Sequence, residues 1–178
     1  MVQYNVKLKN KFEKGFFAGS FDPFTNGHLD IVRRASGDFG GVVVGIGENP
    51  EKLRSFDRRK MRNAILQSAK ESAIESVECV IYPGYTGAVA IEMGCDALIR
   101  GVRSDAERAY EENLADWNRA HFGLDTIYYY APEHLVKLSS TVVRNNLKNR
   151  QPIDKLVPSA VSEIVTEEWV RNFYPVGL

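Results

Sequence analysis

Residues 15 to 32 of this chain read GFFAGSFDPFTNGHLDIV, and they join a strand pattern to a helix pattern. The apolar run Gly15–Gly19 is typical of a short buried strand, and an apolar helical pattern begins at Leu29. Between them, a glycine-containing loop brings His28 to the start of the helix. Because backbone N–H groups at a helix N-terminus point outward and carry partial positive charge, this loop is suited to binding phosphate.

His28 is open to two interpretations. A lone histidine in a first helical turn is more often a surface or capping residue than a catalytic one. Here it adds a side-chain donor at a place where phosphate would bind. The chain contains no GxxxxGK[ST] sequence, which excludes a P-loop as the source of phosphate binding. The hypothesis of a phosphate site therefore depends on the combination of residues 19 to 28 and not on His28 by itself.

Strand and helix patterns alternate along the rest of the chain. Four further apolar runs bounded by turn residues occur at Val42–Ile46, Val77–Tyr82, Ala97–Ile99 and Thr126–Ala131. Helical patterns cover residues 27–35, 57–75, 87–94, 104–121, 140–149 and 159–173. Short strands joined through helices imply parallel pairing, because a parallel connection needs a crossover of about a dozen residues or more. The sequence predicts an α/β fold, a single doubly wound domain with a five-stranded parallel sheet.

The composition fits one domain without a strong electrostatic field. Lys plus Arg number 23 and Asp plus Glu number 23 among 178 residues, so we expect no nucleic-acid binding and no attraction to an anionic membrane. Residues 1–14 are rich in lysine and lack the apolar run of a signal peptide or membrane span. We predict that they form an extension ahead of a domain of residues 15–178. Cys79 and Cys95 lack metal-binding spacing, which favours a reducing, cytoplasmic location.

Two arginines follow the fourth predicted strand. Arg100 and Arg103 flank Gly101-Val102, and ligands of doubly wound sheets bind beyond the carboxyl ends of the strands. A guanidinium fork matches phosphate oxygens in a bidentate way. The alternative is a pair of surface arginines bonded to neighbouring carboxylates such as Asp105 or Glu107.

Three hydroxyls follow the fifth predicted strand at the start of another helix. Ser139, Ser140 and Thr141 precede Arg144 by about one helical turn. Such hydroxyls can cap the helix and equally can hold a triphosphate. Their position on the same predicted sheet edge as His28 and Arg103 favours a shared site.

These motifs together resemble a known family. Gly19-Ser20-Phe21-Asp22-Pro23 with Thr25-Asn26-Gly27-His28, and Ser139-Ser140-Thr141 with Arg144, resemble the nucleotide-binding motifs of the HxGH nucleotidyltransferase superfamily. With Ile99-Arg100-Gly101-Val102-Arg103, Tyr110-Glu111 and Asn118-Arg119, the pattern is similar to bacterial phosphopantetheine adenylyltransferases. The likeness runs from about residue 15 to residue 170 and implies a Rossmann-like nucleotidyltransferase fold.

The resemblance implies a role for each matching residue. His28 would stabilise the pentacovalent phosphorus, and ATP would be bound by Ser20, Phe21, His28, Gly101, Val102, Arg103, Glu111, Ser139, Ser140 and Thr141. The acceptor, 4'-phosphopantetheine, would contact Ser20, Lys52, Thr86 and Arg100, with Arg54 as an alternative to Lys52. The family also implies Mg²⁺ held through the ATP phosphates, a homohexamer, and possible feedback by coenzyme A.

Some residues depart from the family pattern. Ser20 replaces a usual threonine, and Val136-Lys137-Leu138 precedes the serines in place of a serine, an aromatic and a branched residue. Gly87-Ala88-Val89 replaces a polar residue followed by phenylalanine near the expected pantetheine pocket. A sister enzyme that uses CTP, or ATP with nicotinamide mononucleotide, is the nearest rival. Thr25 and the Arg100–Arg103 segment argue against that rival. Intact His28 argues against a non-catalytic nucleotide-binding module.

Overall fold

Five strands and six α-helices alternate in residues 12–48 and 53–173, which are the residues that this computed structural model describes. The strands are β1 (Phe12–Gly19), β2 (Phe39–Gly47), β3 (Val77–Tyr82), β4 (Ala97–Val102) and β5 (Asp125–Tyr130). The helices are α1 (Asn26–Asp38), α2 (Arg58–Glu71), α3 (Thr86–Glu92), α4 (Asp105–Phe122), α5 (Ser140–Lys148) and α6 (Ser159–Phe173). A short 3₁₀ helix, Glu133–Leu135, lies between β5 and α5.

The sheet is parallel throughout and has the order β3-β2-β1-β4-β5. This confirms the predicted doubly wound, five-stranded α/β fold. Winding reverses between β1 and β4, which pair from Gly15 with Ala97 to Phe17 with Ile99. At such a switch point the connections leave in opposite directions, so a crevice opens beyond the carboxyl ends of the two strands.

Alternating apolar residues of the central strands cover both faces of the sheet. Phe17 and Val44 belong to the core beneath α1, α2, α5 and α6, whereas Phe16 and Val43 belong to the core beneath α3. All four side chains are at most 4% exposed. A strand buried on both sides needs nearly continuous apolar sequence, which explains the unbroken runs at 15–19 and 42–46.

Three strands extend further than their sequence patterns predict, and one of them is β2, which spans Phe39–Gly47 and not only residues 42–46. β1 begins at Phe12, whose ring stacks on Phe39 at 5.6 Å, so residues 12–14 of the predicted extension lie in the sheet. β4 continues past Ile99 to Val102 because its last three residues pair with the last three of β5. Arg100 therefore lies within β4, and the strand ends immediately before Arg103.

The apolar stripe of α4 does not pack on the core of its own chain. Tyr110 is 79% exposed, Leu114 48% and Trp117 37%, and Asn118 is the one buried residue of this helix. Gly87 permits the close approach of α3 to the end of α4, because a Cβ there would lie 2.2 Å from the Phe122 ring. In residues 12–48 and 53–173, no helix is long and apolar enough to cross a membrane.

Candidate active site

A cavity of about 370 Å³ lies at the switch point, between the carboxyl ends of β1 and β4 and the N-termini of α1 and α5. It brings together the ten residues for which the family resemblance implies ATP contacts. They are Ser20, Phe21, His28, Gly101, Val102, Arg103, Glu111, Ser139, Ser140 and Thr141. Arg144, which the sequence motif included without a ligand role, also lines this cavity.

His28 is fixed by the start of α1. Thr25 is the N-cap, its Oγ1 accepts a hydrogen bond from the His28 backbone N–H, and its own backbone N–H donates to His28 Nδ1 at 3.0 Å. This is a capping box in which histidine takes the place of the usual glutamate or glutamine. His28 therefore takes part in the capping box and also borders the cavity.

The same hydrogen bond assigns the tautomer of His28. Because Nδ1 accepts from the Thr25 N–H, the proton of the neutral ring resides on Nε2. Burial, with a smaller contribution from the Arg103 charge, lowers the pKa of His28 from 6.5 to about 4. Rings of Phe21 and Phe24 pack on the imidazole with centroids at 5.0 and 5.4 Å. His28 is thus a neutral hydrogen-bond donor at neutral pH.

Two helix N-termini supply backbone donors to the cavity. Gly27 and His28 in the first turn of α1, and Ser140 and Thr141 in the first turn of α5, line it. Neither first turn contains an acidic residue, so the partial positive charge of both helix dipoles is uncompensated. α4, in contrast, has Asp105 and Glu107 in its first turn. The geometry therefore favours an anion between α1 and α5.

The three hydroxyls that follow β5 have separate local partners. Ser139 Oγ caps α5 by accepting the Val142 N–H at 3.2 Å, and Ser140 Oγ donates to the Pro23 carbonyl at 2.7 Å. Thr141 Oγ1 accepts from Arg144 at 3.1 Å. Capping and ligand binding are compatible here, because all three residues also border the cavity.

Arg100 and Arg103, at the carboxyl end of β4, are each paired with a carboxylate of α4. Arg100 donates from Nε and Nη2 to Glu111 at 2.8 and 2.6 Å, and Arg103 donates to Glu107 at 3.1 and 2.6 Å. Hydrogen bonds from Arg103 lower the pKa of Glu107. The alternative that Arg103 bonds a neighbouring carboxylate is therefore observed, but the pair lies in the cavity. Such pairs hold each guanidinium in a fixed orientation toward an incoming anion.

A smaller cavity of about 160 Å³ adjoins the first. The two share Ala18, Arg100 and Glu111 as lining residues. Thr86, one of the predicted acceptor contacts, lines the smaller cavity, and its Oγ1 lies 2.8 Å from Tyr82 Oη. The remaining wall is mostly apolar and includes Phe16, Leu98, Leu114 and Trp117. This wall suits a largely uncharged group, with Arg100 placed to meet a charged end.

Lys52 and Arg54, the two candidate acceptor contacts, lie in the sequence between β2 and α2. Lys52 lies outside the described residues. Arg54 lines neither cavity, because its guanidinium donates to the carbonyls of Ser20 and Phe21 and lies 3.6 Å from the Asp22 carboxylate. Arg54 therefore binds the loop after β1 and borders neither cavity.

The sequence missed several residues of the smaller cavity. Asn118 is 5% exposed and Thr126 has a buried Oγ1 without a hydrogen-bond partner, and both line this cavity. Asn118-Arg119 belongs to the family pattern but has no predicted site role, and nothing in the sequence marks Thr126 as a site residue. Within residues 12–48 and 53–173, no group of three or more His, Cys, Asp or Glu side chains could hold a metal.

Comparisons with known proteins agree with this fold. A family model described as cytidylyltransferase-like matches residues 16–146, from β1 into α5. A putative nicotinate-nucleotide adenylyltransferase from Vibrio parahaemolyticus superimposes with a TM-score of 0.62 at 17% identity, covering 86% of this chain and 98% of that one. A bifunctional NMN adenylyltransferase/ADP ribose pyrophosphatase from Francisella tularensis gives a TM-score of 0.67 at 14% identity, with coverage of 88% and 49%. The chain is therefore of the cytidylyltransferase-like nucleotidyltransferase class.

Sequence similarity narrows the class. The phosphopantetheine adenylyltransferase of Leuconostoc mesenteroides is 35% identical over 152 residues, which cover 85% of this chain and 93% of that protein. That of Streptococcus pyogenes is 37% identical over 148 residues, covering 83% and 90%. This chain belongs to the phosphopantetheine adenylyltransferase family.

Proposed function

We propose that this chain transfers the adenylyl group of ATP to 4'-phosphopantetheine, giving 3'-dephospho-coenzyme A and pyrophosphate in coenzyme A biosynthesis. The observation that carries the proposal is the junction of two different cavities at Arg100 and Glu111. The larger cavity has His28, two helix N-termini and three hydroxyls, as a triphosphate requires. The smaller one is mostly apolar, as a pantetheine arm requires. The family assignment supports the same pair of substrates.

The reaction needs no general base. A phosphate monoester is largely dianionic at neutral pH, because its second pKa is about 6. An oxygen of the acceptor phosphate forms a bond to the α-phosphorus of ATP. The bond from that phosphorus to the oxygen bridging to the β-phosphorus breaks, and pyrophosphate leaves with the electron pair. The site must therefore position two polyanions and stabilise the charge that moves onto the leaving group.

His28 meets that requirement as a neutral donor. Its Nε2–H is free of the capping box, and the ring borders the cavity in which the α-phosphate would lie. Since Thr25 and the packed phenylalanine rings fix the imidazole, little reorganisation is needed when charge develops in the transition state. We propose that this donor stabilises the pentacovalent phosphorus.

The arginines divide between the two substrates. Arg100 borders both cavities, so its guanidinium can face the acceptor phosphate. Arg103 borders only the larger cavity, where ATP would bind. Ser20, Lys52 and Thr86 remain the other proposed acceptor contacts. The hydroxyls of Ser139–Thr141 and the α5 N-terminus would hold the pyrophosphate portion of ATP.

We propose that Mg²⁺ enters with the ATP phosphates. Glu107 and Glu111, the two carboxylates of the larger cavity, are each bound to an arginine. The donor set thus fits an ion ligated mainly by phosphate oxygens, with serine and threonine hydroxyls nearby. When bound, the ion would offset negative charge on the triphosphate.

A homo-oligomer, and a hexamer by family resemblance, is part of the proposal. The apolar stripe of Tyr110, Leu114 and Trp117 on α4 is exposed in the single chain, as expected of a surface that another copy covers. A cytoplasmic location, inferred from the two cysteines, and feedback by coenzyme A, inferred from the family resemblance, complete the proposal.

Steady-state kinetics of His28→Ala test the proposed mechanism. We expect kcat for dephospho-coenzyme A formation to fall about 100-fold or more, with a smaller change in ATP affinity, as for loss of one preorganised donor. His134→Ala is the matched control, because His134 is exposed and lies outside both cavities. An equal loss in kcat and in ATP affinity would mean that His28 only binds ground-state ATP.

A further inference from the structure

Arg54 connects the segment before α2 to the loop after β1. Its Nε donates to the Phe56 carbonyl at 3.2 Å, Nη1 donates to the Ser20 carbonyl, and Nη2 donates to the Phe21 carbonyl at 3.2 Å. Nη2 also lies 3.6 Å from Asp22 Oδ1, and the Arg54 side chain is 11% exposed. All three guanidinium nitrogens are therefore engaged within the protein.

The connection is reciprocal. The Asp22 carboxylate accepts hydrogen bonds from the backbone N–H groups of Ser55 at 3.0 Å and Phe56 at 3.1 Å. Asp22 is 9% exposed, so these bonds are shielded from water. Side chains from each segment thus bind the backbone of the other, and the two segments are held in one relative position.

The loop needs such support at Phe21. This residue has a φ of 45°, in the left-handed region that is disfavoured for a side chain with a Cβ. Such a conformation persists only where surrounding contacts hold it. The Phe21 ring, which is 2% exposed, packs edge-on against His28 at 5.0 Å. A change in the Phe21 backbone would therefore reach the His28 ring.

We propose that Arg54 is a positioning residue for adenylyl transfer, which holds the backbone of Ser20 and Phe21 so that the Phe21 ring keeps His28 in place. Arg54 lines neither cavity, so its effect on His28 passes through the loop residues whose carbonyls it binds. The kinetic consequence rests on the proposed function. The consequence for the environment of His28 can be measured without turnover.

Arg54→Ala and Arg54→Lys test the proposal together. Alanine removes all the donors, whereas lysine keeps the charge on a single nitrogen that cannot reach three carbonyls at once. Should the alanine variant fail to fold, the lysine variant supplies the result. Arg59→Ala is the matched control, because Arg59 is an exposed arginine of the same region that borders neither cavity.

Two measurements are made on each variant. One is kcat and KM for both substrates, and the other is the NMR titration of His28, one of three histidines in the chain. We expect kcat to fall about 10-fold or more at Arg54→Ala with substrate KM values changed less than about 3-fold, because small misplacements of reacting groups are costly. The pKa of His28 should rise from about 4 toward 6.5 as water reaches the ring. Arg54→Lys should shift both quantities in the same direction by less.

Two results would overturn the positioning role of Arg54, and a third would separate it from the proposed function. An increased KM for the phosphorylated acceptor, with unchanged kcat and unchanged His28 titration, would make Arg54 a direct acceptor contact and overturn the proposal. Kinetics and titration equal to those of Arg59→Ala would also overturn it. If the wild-type chain forms no dephospho-coenzyme A but the His28 titration still moves in the Arg54 variants, the proposed function fails and the positioning role stands.

Discussion

His28→Gln should remove part of the loss of stability in acid. The pKa of His28 is lowered from 6.5 to about 4 chiefly by burial and secondarily by Arg103, so the folded ring stays neutral where the unfolded ring binds a proton. Stability must rise with pH wherever the unfolded state binds more protons. The contribution is therefore fully present above about pH 6.5 and is lost as the pH falls toward about 4.

The magnitude follows from the same two values. One pKa unit corresponds to about 1.4 kcal/mol, so the change from 6.5 to about 4 corresponds to at most ~3 kcal/mol. Because the ring borders an open cavity, solvent screening reduces this, and we expect about 1 to 2 kcal/mol. Glutamine is the appropriate replacement, since it is a usual partner of an N-cap threonine and preserves the capping box.

Urea unfolding of both proteins, near neutral pH and again near pH 4.5, measures the effect. The wild-type free energy of unfolding should fall by about 1 to 2 kcal/mol more than that of His28→Gln between the two conditions. Any packing defect of the variant is common to both conditions and cancels in the comparison. Equal losses in the two proteins would show that His28 does not titrate differently in the folded and unfolded states, and would refute the reasoning.

Three further substitutions test separate parts of the account. Glu111→Gln should weaken the hold on Arg100 and lower kcat/KM for the acceptor by about 10-fold, since a charge-assisted hydrogen bond contributes about 1.5 kcal/mol or more; an unchanged value would contradict the role of the pair. Gly87→Ala should lower the free energy of unfolding by about 1 to 3 kcal/mol, because the new Cβ would overlap the Phe122 ring. Chemical denaturation checks this, and a loss below about 0.5 kcal/mol would contradict it. Lys137→Ala should leave kcat and the KM for ATP within about 2-fold, because Lys137 is exposed and borders neither cavity, so a larger change in steady-state assays would place it near the pyrophosphate.

The order of elements and the nucleotide loop were predictable from sequence. Apolar runs bounded by turn residues predict five strands, and their spacing through helices implies parallel pairing. The loop before α1 could be recognised because its residues are consecutive, so that Thr25 and His28 lie three positions apart at a helix start. Local chemistry of this kind depends little on how distant segments pack.

Side-chain partners across elements were not predictable in the same way. The Arg100–Glu111 pair joins β4 to α4, and it depends on the crossing of a helix over a strand end. The role of Arg54 depends on two loops that are 33 or more positions apart in sequence. Arg54 is an alternative acceptor contact in the sequence because the loop of residues 48–56 matches the family only in length. In the structure its guanidinium instead binds the carbonyls of Ser20 and Phe21.

The sequence predicts the apolar stripe on α4 but not the surface that the stripe contacts. Its apolar spacing predicts a helix, and that prediction is confirmed. Periodicity does not state what covers the stripe, and Tyr110, Leu114 and Trp117 remain exposed on the single chain. A helix whose apolar face contacts another copy has the same pattern as one that packs on its own core.

The identity of the acceptor is the central claim, and product analysis tests it most directly. Purified protein, Mg²⁺ and ATP are incubated with an equimolar mixture of 4'-phosphopantetheine, nicotinamide mononucleotide and glycerol 3-phosphate, with CTP in a parallel reaction, and products are identified by mass spectrometry. We predict that dephospho-coenzyme A forms in the ATP reaction and not in the CTP reaction, and that His28→Ala lowers its rate of formation about 100-fold or more. Adenylation or cytidylylation of another acceptor would contradict the proposed substrate, and ATP binding without any product would contradict the proposed enzyme.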